Sequence, residues 1–85
     1  MPDFAFLAQQ MELREALENA THSKDAKALE ALAQSLVRDK RTLENKLAER
    51  IDSEQDYAGA AGLVREMQFL EKLEAEIDGA YELIE

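Results

Sequence analysis

Few residues in this chain could do covalent or metal chemistry, and their spacing works against each such use. There is one histidine, His22, and there are no cysteines. The lack of cysteine removes disulfides, thiolate metal ligands and thiol nucleophiles. A helical di-metal carboxylate centre needs two Glu-x-x-His motifs facing each other across a bundle. One histidine cannot supply both, and Glu18 with His22 has the wrong spacing for either. A serine nucleophile would need Ser23, Ser35 or Ser53 beside His22 as base, and nothing in the pattern brings them together. His22 itself sits in a short polar break and is expected in a solvated loop. Gly59 and Gly62 lie inside a helical pattern, which is not a phosphate-binding loop. The residues therefore predict no enzyme, no catalytic or metal-ligating residue and no cofactor site.

What remains is acidic and apolar surface. The chain carries 19 acids against 10 bases, a net charge of −9. Such a surface repels phosphate backbones and anionic lipid, so neither nucleic acid nor membrane is an expected partner. It suits a basic protein. The charge is uneven: the last third is strongly acidic, relieved only by Arg65 and Lys72, while most of the bases lie between Lys24 and Arg50. No apolar run approaches membrane-spanning length, and no signal peptide is visible. Eighty-five residues allow one small domain. Its core is marginal, so long regular helices must bury apolar area efficiently.

Three such helices are legible. The first is expected from Asp3, as N-cap, to about Ala20. At about 100° per residue, Phe6, Leu13, Leu17 and Ala20 share one face, which is enough to dock the helix. Phe4, Leu7, Ala8 and Met11 form a second apolar cluster on another side, continued by Glu15 and Glu18. An apolar patch that the fold does not need, bordered by acids, has the pattern of a partner surface. A face meeting another helix of the same domain gives the same pattern, and periodicity alone leaves both readings open.

The second helix is expected to start at Ser23 as cap, with Asp25 in its first turn, and to run to Ile51. Its stripe is Leu29, Leu32, Leu36, Leu43, Leu47 and Ile51, widened by Ala33 and Val37. Lys40 interrupts the stripe and is expected to pack its stem while its ammonium reaches water. Ser53 with Asp56 has capping-box form and predicts the start of a third helix running to about Ile84. Leu63, Met67, Leu70, Ile77, Tyr81 and Ile84 make its stripe, with Ala60 and Val64 beside it. The small run Ala58–Gly62 would admit a close neighbour at some cost in helix propensity. Phe69 falls about 120° off the Leu63/Leu70 line, with Leu73 and Ala58. It is read either as a half-covered boundary residue or as an exposed anchor. Short linkers force the helices up, down and up. The predicted fold is all-α: an antiparallel three-helix bundle with a short first helix packed on a long helical hairpin.

The first helix is also where a family resemblance shows. Phe6-Leu7-Ala8-Gln9-Gln10-Met11-Glu12-Leu13-Arg14-Glu15-Ala16-Leu17 resembles the opening of the C-terminal domain of the HscB family. Ala60-Ala61-Gly62-Leu63-Val64-Arg65-Glu66-Met67-Gln68-Phe69-Leu70-Glu71-Lys72-Leu73 repeats the resemblance, at matching separation. It covers essentially all of the chain, although the second helix adds only a compatible apolar pattern. HscB proteins are J-domain co-chaperones of iron–sulfur cluster biogenesis. The resemblance implies a C-terminal three-helix bundle that holds the cluster scaffold protein IscU. It further implies an N-terminal J domain that engages the chaperone ATPase HscA. The histidine of Thr21-His22-Ser23 is not in the His-Pro-Asp tripeptide of a J domain. The chain is accordingly read as one domain, residues 1–85, of a longer protein from bacterial cytoplasm.

By the same resemblance, Leu7, Met11, Glu12 and Glu15 occupy scaffold-contacting positions, and Phe69 matches the aromatic member of that surface. Two positions depart from the family pattern. Ala8 stands where methionine is common and removes apolar area; Asn19 stands where an acid is common and removes a charge. C-terminal domains of this family are also described as oligomerisation domains. Self-association through the same patch, giving a weak homo-oligomer, is therefore the alternative. A solvated coiled-coil spacer is a third reading.

Overall fold

Leucines at helical spacing fix the central element. Along α2 (Ala26–Asp52), Leu29, Leu32, Leu36 and Leu43 are buried, and Leu29 and Leu36 have no solvent contact. The computed structural model describes residues 4–53 and 55–84; Asp3, the expected first N-cap, lies outside them. α1 (Phe4–His22) precedes α2, and α3 (Tyr57–Ile84) follows it. All three pack on one another, and no strand occurs among the described residues. The predicted all-α bundle, a shorter α1 on the α2–α3 hairpin, is what forms. Its long dimension of 46 Å is close to that of a 27-residue helix at about 1.5 Å per residue.

The helix junctions differ from expectation in how they are built. Lys24 takes a left-handed backbone, φ 53°. Its N–H donates to the Thr21 carbonyl at 3.1 Å, and the Asp25 N–H donates to the Ala20 carbonyl at 2.9 Å. This bond pair is a Schellman stop, with lysine where glycine is usual. It carries α1 through His22, which ends the helix instead of lying in a loop. The Ser23 N–H still donates to the Asn19 carbonyl at 3.0 Å, so Ser23 belongs to the end of α1. Asp25 caps α2 in its place, with Oδ1 accepting the Ala28 N–H at 3.0 Å.

The Ser53/Asp56 capping box does not form either. Ser53 closes α2, its N–H donating to the Glu49 carbonyl at 3.0 Å. Gln55 supplies the second left-handed residue, φ 51°. Asp56 then caps α3, with Oδ1 accepting the Gly59 N–H at 2.9 Å and Oδ2 accepting from Arg50 Nη1 at 2.8 Å. The Gly59 N–H first, and the Arg50 guanidinium second, hold the Asp56 carboxyl below its usual value. Gly59 fits because a Cβ there would collide with the Asp56 carboxyl and Arg50.

α3 buries more than its predicted stripe. Leu73, expected on a flank with Phe69, is fully enclosed, as is Ile77 at 1% exposure. The physical reason is that α3 meets two helices, so its covered face spans Leu70, Leu73, Ile77 and Ala80 instead of one line. Leu63, Met67, Tyr81 and Ile84 are partly buried against this core. Of the small run, only Ala60 is buried, and Gly62 faces open space. Lys40 does not simply reach water. Its Nζ meets Glu74 Oε1 at 3.2 Å, and this bond raises the lysine pKa. Glu74 Oε1 is otherwise secluded, so Lys40 is the group that balances it.

Candidate protein-docking site

The two apolar faces read on α1 have different fates. Leu17 and Ala20 are buried, and Leu13 packs against the core. The other face is left in solvent: Leu7 is 45% exposed, Met11 72% and Phe4 73%. Ala8, Glu12, Glu15, Glu18 and Asn19 are also exposed. The reading in which this face meets a helix of its own domain is thus not what forms. Phe4 shares the helical phase of Leu7 and Met11. Its position and exposure place it on the same surface.

Phe69 is brought close to α1, yet it is not an open anchor. It is partly buried against the core and meets the edge of Phe6, with ring centroids 6.0 Å apart and planes at 87°. The Arg14 guanidinium lies over the ring, 5.6 Å from its centroid. Arg14 Nη1 also donates to Glu76 Oε2 at 3.1 Å. The boundary reading of Phe69 is therefore the better one. The ring ties α3 to α1, and Arg14, which the sequence did not single out, roofs it. Arg14 lies a heptad after Leu7 and Phe69 a heptad before Glu76. That spacing was the available signal for a cross-helix cluster.

The electrostatics follow from that pairing. Arg14 is the one base on α1 besides the terminal His22, and it is committed to Glu76. The exposed face is left with Glu12, Glu15 and Glu18 as its charges. A cleft of about 190 Å³ lies on the α2 side, under Phe6, Gln9, Asp39, Thr42 and Lys46, and does not reach Leu7 or Met11. Among the described residues no group of three or more His, Asp or Glu is placed to hold a metal ion. Nor is any described helix long and apolar enough to cross a membrane. What the site can do chemically is bury apolar side chains and meet positive charge.

A helical bundle with an uncovered apolar and acidic helix face has the form of a protein-interaction domain. Comparison with known families takes this further. Residues 2–78 match the model described as the HSCB C-terminal oligomerisation domain. Over 73 residues the chain is 48% identical to a co-chaperone protein HscB homolog of Bordetella avium, covering 86% of this chain and 42% of that protein. It is 41% identical over 81 residues to a homolog of the same name from Aromatoleum aromaticum, covering 95% and 46%. A Burkholderia mallei homolog is 43% identical over 81 residues, with the same coverage of 95% and 46%. The chain belongs to the HscB co-chaperone family. It spans less than half the length of these relatives. No solved structure matches it.

Proposed function

We propose that this domain docks an IscU-like iron–sulfur scaffold protein on the outward face of α1, for delivery to the HscA chaperone ATPase. The observation that carries the reading is the exposure of Leu7 and Met11 beside Glu12 and Glu15, on a helix already docked by its opposite face. Leu7 and Met11 are the apolar anchors. Glu12 and Glu15 form an acidic rim for basic residues of the scaffold. Phe69 contributes an edge and holds α1 in place. Ala8 and Asn19 lie on the same face and leave it smaller and less acidic than the family pattern. Membership of a co-chaperone family supports the reading. Engagement of HscA is assigned to a J domain outside these 85 residues, and the setting to bacterial cytoplasm.

A fully buried large anchor contributes about 1.5–3 kcal/mol, while association costs on the order of 4–15 kcal/mol in lost freedom. Two full anchors, a partial one and a charged rim therefore cannot give a very tight complex, and binding of roughly micromolar strength, about −8 kcal/mol, is the expectation. The acids act more on association rate and salt dependence than on residence time. The test is calorimetric titration of the scaffold into this domain, with Leu7→Ala and Met11→Ala beside the parent. Each variant should lose about 1 kcal/mol or more. Equal binding by parent and variants would move the site elsewhere, and no binding by the parent would remove the reading.

The second reading is self-association through the same face, favoured by the matching family's description as an oligomerisation domain. A two-fold pair would place the Leu7/Met11 patch against its own copy. Sedimentation equilibrium separates the two readings, because a monomer at working concentration rules out stable pairing.

A further inference from the structure

The seam between α1 and α3 does not end at Arg14. Past the Arg14–Glu76 bridge it opens into a trough of about 380 Å³, with Leu17 and Ala80 in its lining and Thr21, Gly79 and Leu83 along its sides. Leu83 is 77% exposed, the most exposed large apolar side chain among the described residues. A Cβ built on Gly79 would meet nothing within 4 Å, so the trough is open at that point. The Thr21 hydroxyl donates to the Leu17 carbonyl at 2.7 Å, which takes its donor out of the trough. Among the described residues Arg14 is the one cation in the lining and is bonded to Glu76, and Glu18 then sets the sign of the rim. The match to the family model ends at residue 78, just before Gly79, Ala80 and Leu83.

We infer that this trough is a second subsite of the docking face. It receives an apolar side chain flanked by lysine or arginine, presented by the same partner that covers Leu7 and Met11. This rests on the docking reading above. Two observations argue for one partner across both parts. The trough and the anchors share α1, and Met11 to Thr21 spans about 15 Å along its axis, within reach of one partner helix. In addition, Phe69 is already half-covered by Phe6 and Arg14 and Ala8 is small, so the α1 face alone offers little area. Leu83 supplies exposed apolar surface where that face runs out. The negative rim selects a basic flank on the occupant by charge complementarity.

The test is calorimetric titration of the IscU-like scaffold into the 85-residue chain and into Leu83→Ala, Glu18→Gln and Leu7→Ala. Leu83→Ala should weaken binding about five-fold or more with unchanged helicity and melting temperature, because the residue is exposed and alanine favours helix. Glu18→Gln should lower the salt dependence of binding. If Leu7→Ala binds more weakly while Leu83→Ala binds like the parent, the trough is not a subsite and the α1 face stands. If the parent fails to bind, both fall together. If the parent dimerises by sedimentation and Leu83→Ala abolishes the dimer, the occupant is a second copy of this chain, and the partner assignment is overturned.

Discussion

Replacing Phe69 with alanine asks whether this ring holds α1 in place or is mainly a contact for a partner. The structure supplies three contributions to its worth. Half-burial of a phenylalanine against the core gives about 1 kcal/mol. The edge-to-face pair with Phe6 adds about 0.5–1.5 kcal/mol, and the guanidinium of Arg14 over the ring adds about 0.5–1 kcal/mol. Together these predict a loss of about 2–3.5 kcal/mol. In a domain of this size each kcal/mol moves the melting temperature by about 4–8 °C, so the midpoint should fall by roughly 8–28 °C. Phe69→Leu keeps most of the burial and should lose about half as much. Thermal and urea unfolding followed by circular dichroism give the magnitude. Hydrogen exchange gives the place, with α1 amides exchanging faster than those of α2 and α3. A loss below about 0.5 kcal/mol, the scale of an ordinary surface change, would refute the structural role.

Leu7→Ala and Met11→Ala should behave in the opposite way, unfolding within about 0.5 kcal/mol of the parent; a larger loss in urea titration would mean that this face is part of the fold. Lys24→Gly should stabilise the chain by about 0.5–1 kcal/mol, because glycine takes the left-handed stop of α1 without strain, and an unchanged urea midpoint would count against it. Gly62→Ala, where a Cβ meets open space, should gain about 0.5–1 kcal/mol in helix propensity. Gly59→Ala should gain none, since its methyl displaces the Asp56 cap. Equal gains would show that the cap yields. Because the folded-state pKa of Asp56 is depressed, its contribution is complete above the ordinary carboxylate value and is lost as pH falls through the folded value. The stability gap between the parent and Asp56→Asn should therefore narrow from about pH 7 to about pH 3; a constant gap in urea midpoints would exclude this linkage.

The helices and the grouping of Leu7 with Met11 were legible because both are periodic properties, while periodicity left open whether a neighbouring helix covers that group. Leu29, Leu32, Leu36 and Leu43 announce a buried stripe, and Leu7 and Met11 fall about 80–180° around the wheel from Leu13, Leu17 and Ala20 whatever surrounds them. The junctions were less legible because they depend on backbone conformation. Ser23 and Ser53 are good caps by type, but each remains bonded to the helix before it, and the aspartates at 25 and 56 take the role. No residue type advertises the left-handed turns at Lys24 and Gln55. Leu73 lies deeper than its place beside Phe69 on the flank predicts, for one reason. A single stripe describes a helix with one neighbour, and α3 has two. The side facing α1 therefore looked like a flank. The Lys40–Glu74 pair could be suspected at Lys40, a charge in an apolar row, but its partner is set by the register of the hairpin.

Stability and recognition are separated on this fold by where the apolar side chains lie. Leu29, Leu36, Leu73 and Ile77, all from the hairpin, are the fully enclosed core. α1 adds only Leu17 and Ala20 as buried residues, together with the Phe6–Phe69 contact and the Arg14–Glu76 bridge. An ion pair as exposed as that bridge contributes about 0–1 kcal/mol. α1 is consequently the helix that opens most readily, and it is also the helix proposed to carry the partner. A partner seated on its outer face and in the trough beside Leu83 touches α1 and α3 together, so binding favours the docked helix over the opened one. At a free partner concentration of about 100 Kd, this coupling stabilises the fold by about 2.7 kcal/mol, comparable with the loss expected from Phe69→Ala. Saturating scaffold should therefore offset much of that variant's thermal defect. A defect unchanged by scaffold, in a variant that still binds it, would show that α1 is held independently of its partner.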